Sequence, residues 1–292
     1  MEHKRKFAER FRIENGENFR LNHIDPAETG GLSADEAEKE LLETGLRDLR
    51  EQQDKLYANG QWAVLVILQG MDAAGKDSLI KHVMSGVNPI GCEAVAFGPP
   101  SQEELRHDFL WRVVRRLPER RKIGIFNRSY FEEVLVVRVH PELLSREQTP
   151  QALRSDHVWR ERCEAILAFE RHLVRDGTVV LKFFLHLSKD EQKRRFLKRL
   201  DNSDKNWKFS VNDIHERKYW QSYMEAYEQM IRHTATPDAP WYVVPADHKW
   251  FTQLVVASAI SHTLDALNLS LPKITGERKK ELEGARTLLE NE

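Results

Sequence analysis

Cysteine is nearly absent: 292 residues hold only Cys92 and Cys163, far apart and outside any Cys/His spacing. That excludes a disulfide-stapled scaffold and a thiolate zinc site, and both side chains are expected to be plain thiols. Long apolar runs are missing as well. The longest uncharged one, Trp62 to Gln69, is far too short to span a bilayer, so no membrane partner is expected. Charge of one sign is also lacking, with a net charge of -1 and a pI near 6.9. Nucleic acid is therefore not an expected partner, and any polyanion site must come from local concentration of charge. The opening Met1-Glu2-His3-Lys4-Arg5-Lys6 is followed by no apolar segment, so no secretory signal is read and the cytoplasm is the expected location. Internal repeats and low-complexity linkers are absent too.

The residues that are present, 31% charged and 40% apolar, suit a chain that buries a sizeable core. Ser33-Ala34-Asp35-Glu36 is a capping box, and Ala37, Leu41, Leu42, Leu46 and Leu49 continue at helical spacing toward Asn59-Gly60. Trp62–Leu68 has almost no polar alternation, as in a strand covered on both faces at the centre of a parallel sheet. Further strands are expected at Ala94–Phe97, Ile123–Phe126, Thr178–Leu187 and Trp241–Val244. Between them, helices are expected from the Ser101–Glu104 capping box to Leu117-Pro118, over Gln151–Arg175, after the Ser188 cap, over Ile214–His233 and from Lys249 onward. The charged tail Ile274–Glu292 reads as a solvated or dimer-facing helix. This alternation predicts one three-layer αβα domain over residues 1–292, with a polar N-terminal arm over about 1–32.

The run Gly70-Met71-Asp72-Ala73-Ala74-Gly75-Lys76-Asp77-Ser78 follows the central strand and opens a helix that fades at Gly86. This is the G-x-x-x-x-G-K phosphate loop in its strand-loop-helix setting. Gly70, Ala73, Ala74, Gly75, Lys76, Asp77 and Ser78 are expected to cradle phosphate, through loop amides, the helix N-terminus and the lysine charge. The Ser or Thr that normally follows the lysine and holds Mg2+ is here Asp77, with Ser78 one step later. Asp72 is an oxygen ligand of the kind Mg2+ prefers, beside the phosphates that the ion neutralises.

A second cluster sits at the exit of the strand Ile123–Phe126, an edge where open parallel sheets bind ligands. It reads Asn127-Arg128-Ser129-Tyr130-Phe131-Glu132-Glu133, and with neutral Asn127 directly after the strand the nearest acidic metal ligands are Glu132 and Glu133. In a helical turn the two point in different directions, so one of them is expected to reach the metal. From Ser188 to Lys218 basic residues outnumber acidic ones, and Asp201-Asn202-Ser203-Asp204 and Asn206-Trp207 break the helices. A mobile basic lid over about 189–218 is the reading, since phosphoryl transfer needs water excluded.

Gly70 to Asp77, Asn127 to Pro141 and Lys205-Asn206-Trp207-Lys208-Phe209-Ser210 together resemble the family-2 polyphosphate kinases, most closely the class III subgroup, over nearly the whole chain. The resemblance implies a thymidylate-kinase-like P-loop fold with a helical lid, Mg2+ as cofactor, inorganic polyphosphate as donor, and AMP and ADP as acceptors giving ADP and ATP. It implies that Asp72 and Lys76 are essential, that Asn127-Arg128 occupies the second motif with Arg128 in catalysis, and that Asn127 with Glu132 marks the AMP-accepting pattern. Arg194, Arg195, Arg199, Lys205 and Lys208 match the lid's basic set, the three arginines toward phosphate. A homo-oligomer, dimer or tetramer, is implied as well. Phe131 stands where the family usually has tyrosine, so that hydroxyl's hydrogen bond is missing. From the P-loop alone, an ATP-dependent nucleotide kinase or a non-catalytic nucleotide-binding regulator would also fit.

Overall fold

The computed structural model describes residues 8–147, 149–150, 155 and 157–292, with the side chains of residues 36–44, 205 and 208 outside that description. Its strands are Arg12–Ile13 (β1), Ala63–Gly70 (β2), Cys92–Ala96 (β3), Ile123–Asn127 (β4), Thr178–His186 (β5) and Trp241–Pro245 (β6). They form one sheet in the order β1-β6-β5-β2-β4-β3. All pairings are parallel except β1 with β6. β2 thus lies between β4 and β5, and its carboxyl end opens where the strand order runs off in both directions, the place where such sheets bind ligands.

The longer helices are Ala34–Asn59 (α1), Lys76–Val83 (α2), Val158–Arg175 (α3), Lys189–Leu200 (α4), Trp220–Thr234 (α5), Lys249–Ala266 (α6) and Gly276–Glu290 (α7). Successive β2 side chains point to opposite faces. Val64, Val66 and Leu68 join the layer of α1, α2 and α6, while Leu65 and Ile67 join that of α3 and α5. Burial on both faces is why β2 reads as an unbroken apolar run. α6 is apolar on nearly every side because it lies between the sheet and α1. Every side chain of α7 is exposed.

The N-terminal arm does more than lie on the surface. Ala8, Phe11, Phe19 and Leu21 are buried, Phe11 meets Phe251 edge to face, and β1 adds an antiparallel edge that the sequence does not predict. A two-residue strand with no alternation to detect carries no periodic signal. The arm continues across α5 at Gly16, where an added Cβ would stand 2.4 Å from the backbone of Arg232. Gly16→Ala is therefore expected to cost about 1–3 kcal/mol by prying the arm off α5. Urea unfolding measures it, and a change below about 0.5 kcal/mol would show that the arm contributes no rigid packing.

Two expected helices are shorter. The Ser101 capping box forms, with Ser101 N–H donating to Glu104 Oε2 at 2.7 Å and Glu104 N–H to Ser101 Oγ at 3.2 Å. It opens only the turn Glu104–Arg106, because the Asp108 carboxylate then takes the Leu110 N–H and the chain restarts as the single turn Trp111–Val114. The helix expected over Gln151–Arg175 begins at Val158, and residues 151–154 and 156 of that expectation lie outside the described residues. Ile214–His233 divides into Val211–Glu216, a tight turn at Arg217–Tyr219, and α5.

Candidate active site

β2 ends directly in the phosphate loop. Gly70 has φ 154°, and a Cβ there would stand 3.0 Å from Leu185 O and 3.2 Å from Ala74 Cβ, so only glycine fits against the neighbouring strand. Gly75 caps α2 with φ 106°. Lys76, in the first turn of α2, is buried and folds back over the loop, its Nζ donating to Gly70 O at 2.6 Å and Met71 O at 3.3 Å. Burial, helped by nearby Arg128, lowers its pKa to about 8, against the opposing pull of Asp72, Glu132 and Asp77. Ser78 Oγ donates to Gly75 O at 3.0 Å and Asp77 Oδ1 accepts from Asn127 Nδ2 at 2.8 Å, so these two residues brace the loop and link it to β4.

Arg128 follows β4 in the left-handed region, φ 65°, with its N–H on Leu68 O at 3.0 Å. That backbone turn sends its guanidinium back over the loop. Nη2 donates to Asp72 Oδ1 at 2.9 Å and Nη1 lies 3.5 Å from Glu132 Oε2. Glu132, chiefly, holds the Arg128 pKa above its ordinary value. Burial raises that of Glu132, with Arg128 and Lys76 opposing. Two carboxylates thus flank one guanidinium beside a buried ammonium.

Glu133 is not brought to this group. It faces the other side of the turn, where Arg162 Nη1 donates to its Oε2 at 3.1 Å and to its carbonyl at 3.0 Å, and Arg112 Nη2 lies 3.8 Å from Oε1. Of the two glutamates, Glu132 is the one that faces Arg128 beside the loop.

The basic set from α4 onward divides. Arg194 is exposed and held by Glu191 through two bonds of 2.5 and 2.6 Å. Arg199 Nη1 lies 3.8 Å from Asp213 Oδ2. Arg195 is buried against the phosphate loop itself, donating to Ala73 O at 2.9 Å and Ala74 O at 3.0 Å, so its donors are already occupied. The side chains of Lys205 and Lys208 lie outside the described residues.

Five residues in or beside the site are hardly announced by the sequence. Gln192 donates to Asp72 O at 2.9 Å. Tyr227 is deeply buried beside the Gly70 backbone. Glu216 accepts from Tyr223 at 2.6 Å and sits 2.8 Å from His140 Nε2, so the segment after α4 is tied down where it returns to the body. Only the i, i+3 spacing of Gln192 and Arg195 on one helix face could have hinted at any of these contacts.

Among the described residues no cluster of three or more His, Cys, Asp or Glu could enclose a metal, and no helix is long and apolar enough to cross a membrane. A cradle of loop amides, two cations and paired oxygen donors suits a phosphoryl group presented with Mg2+.

The sequence profile of the family described as polyphosphate kinase 2 matches residues 31–272. An ADP-polyphosphate phosphotransferase of Rhodopseudomonas palustris is 48% identical over 276 residues, covering 94% of this chain and 96% of that protein. An AMP/ADP-polyphosphate phosphotransferase of Meiothermus ruber is 43% identical over 265 residues, covering 90% and 95%. The crystal structure of a polyphosphate kinase 2 from Arthrobacter aurescens superposes with a TM-score of 0.88 at 37% identity, covering 98% of this chain and 97% of that one.

Proposed function

This chain belongs to the polyphosphate kinase 2 family, and we propose that it transfers the terminal phosphoryl group of inorganic polyphosphate to ADP and to AMP, forming ATP and ADP. The observation that carries this reading is similarity over nearly the whole chain to two phosphotransferases named for polyphosphate, one of them for both acceptors. An acceptor phosphate has its second pKa near 6, so it arrives largely ionised and needs no strong base. Rate then depends on alignment and on charge neutralisation. In this reading Lys76 and the loop amides hold the transferring group, and Arg128 leaves its two carboxylates to meet the phosphate oxygens. Asp72 and Glu132 fit Mg2+, which takes one or two carboxylates plus phosphate and water rather than an all-protein cage. Bound there, the ion would cancel charge on the transferring group. Asn127 sets the position of Asp77, and the stretch from Arg199, in the last turn of α4, to Glu216, carrying Lys205 and Lys208 as well, closes over the chain of phosphates. We place the reaction in the cytoplasm and the protein in a dimer or tetramer, for which light scattering is the measurement.

Purified protein with Mg2+, polyphosphate and either AMP or ADP should form ATP. ATP from ADP alone would remove the AMP half of the reading, and turnover that required ATP as donor would remove polyphosphate. Glutamine substitution separates the two acids. Glu132→Gln is expected to lower kcat about 100-fold or more, while Glu133→Gln stays within about tenfold of the parent. Equal losses in both would overturn the assignment of Glu132.

A further inference from the structure

The sequence places α4 in a mobile lid, yet its first two turns are bolted to the phosphate loop. Arg195 has five N–H donors. Nε donates to Glu191 Oε1 at 2.7 Å, Nη1 to Ala73 O at 2.9 Å and Ala74 O at 3.0 Å, and Nη2 to Ala246 O at 2.6 Å and Asp247 O at 3.1 Å. Every donor is used, four of them on backbone carbonyls. One turn earlier, fully buried Gln192 donates to Asp72 O at 2.9 Å and accepts from Arg217 Nη1 at 2.9 Å.

Three successive loop carbonyls, those of Asp72, Ala73 and Ala74, therefore point at α4. In a planar trans peptide the C=O of one residue and the N–H of the next point in opposite directions. Fixing those carbonyls turns the N–H groups of Ala73, Ala74 and Gly75 away from α4. The Ala74 N–H closes a turn onto Met71 O at 3.1 Å, which leaves the Ala73 and Gly75 amides as the loop's contribution to an anion cradle. The arrangement is costly unaided, because Ala73 is a non-glycine residue at φ 64° and such a conformation persists only where its surroundings over-determine it.

We infer that Arg195, with Gln192, is a positioning residue that holds the phosphate loop in its anion-binding form, and that Arg195 is not part of the surface that contacts polyphosphate. The moving part of the lid then begins after Arg195, near Arg199. This rests on the reading that the loop binds the phosphate donor.

Steady-state kinetics of the whole 292-residue chain across ionic strength, with polyphosphate and ADP, test it. A positioning role depends on the planar five-donor geometry, which lysine cannot reproduce. Arg195→Lys and Arg195→Gln are therefore both expected to lose about 100-fold in kcat while keeping the parent's salt dependence of KM for polyphosphate. Arg199→Gln is expected to flatten that salt dependence, as loss of a screened charge contact does. An Arg195→Lys variant within about fivefold of the parent, or an Arg195→Gln variant with flattened salt dependence, would overturn the inference. If thermal unfolding shows neither variant to fold, Gln192→Met decides, with a kcat loss of at least about tenfold expected and an unchanged kcat overturning it. Should the parent not turn over polyphosphate at all, the proposed reaction falls instead. Calorimetric affinity for tripolyphosphate then tests the positioning role by itself, equal losses in the Lys and Gln variants supporting it and retention in Lys refuting it.

Discussion

Lys76→Met should abolish turnover, with kcat down about a thousandfold or more, and yet leave the protein no less stable at neutral pH. The first half follows from charge. Lys76 is the buried cation at the base of the loop, and a preorganised cation facing a phosphoryl group in a water-poor site contributes several kcal/mol to the transition state. Methionine keeps the length and volume and removes the charge.

The second half follows from linkage. Folding moves the Lys76 pKa from 10.5 to about 8. A difference of 2.5 units corresponds to about 3 kcal/mol that the folded state loses by keeping this lysine charged. The unfolded chain holds the proton more tightly, so this penalty is fully present below pH 8 and fades as pH rises toward 10.5. Against it stand the charge-assisted bonds to Gly70 O and Met71 O, each contributing about 1.5 kcal/mol and lost in the variant, so the two terms nearly cancel. The net expectation is a Tm equal to or above the parent's at pH 7, with the difference shrinking as pH approaches 10. Scanning calorimetry across pH checks the sign, and an advantage that grew with pH would contradict the cost assigned to burial. A variant with kcat within tenfold of the parent would contradict the role assigned in catalysis.

The largest stability loss is expected at Lys182→Met. Lys182 lies on β5 with no exposure at all, its Nζ donating to Glu170 Oε2 at 2.6 Å and Thr234 O at 2.7 Å. The rings of Phe131 and Trp241 lie 5.7 and 5.4 Å from it. Glu170 Oε1 accepts from Tyr130 at 2.8 Å, and Trp241 Nε1 donates to Thr234 Oγ1 at 2.9 Å, so the polar atoms of this patch satisfy one another. Burial raises the Glu170 pKa and lowers that of Lys182, each opposed by its partner.

Removing the cation strands a buried carboxylate, which costs about 3–5 kcal/mol, roughly 10 °C in Tm for a chain of this size. Lys182→Met with Glu170→Leu should recover most of it, because replacing both charges by apolar groups avoids the desolvation cost. A double-mutant cycle with a coupling below about 1 kcal/mol would show the pair to be dispensable. Phe131 gains its meaning here. Where the resemblance implied a missing hydroxyl, the ring borders the Lys182 ammonium and needs none. Tyr130 belongs to the same turn as Glu132, so Lys182→Met should lower kcat as well, through a loosened Glu132.

The phosphate loop was legible because glycines at that spacing before a lysine, directly after an apolar strand, suit little besides a bound phosphate. β2, β4, β5 and β6 were legible because strands buried on both faces leave apolar runs. β1 was not, since two residues fix no period. Ser101–Glu104 announced a helix correctly at its cap and wrongly in its length, because the competing acceptor on Asp108 matters only once the backbone has turned.

The sequence by itself determined the fold class, the phosphate-loop motif and the family, since each depends on residues close together in the chain. Tertiary structure alone decided which glutamate faces the loop, and that Arg195 grips carbonyls while Arg194 beside it meets solvent. The reason is direction. A side chain's partners depend on where its Cβ points and on what the fold carries past it. Asp72 and Gln192, or Arg195 and Ala246, meet only because the loop after β2, the start of α4 and the loop after β6 converge at one end of the sheet.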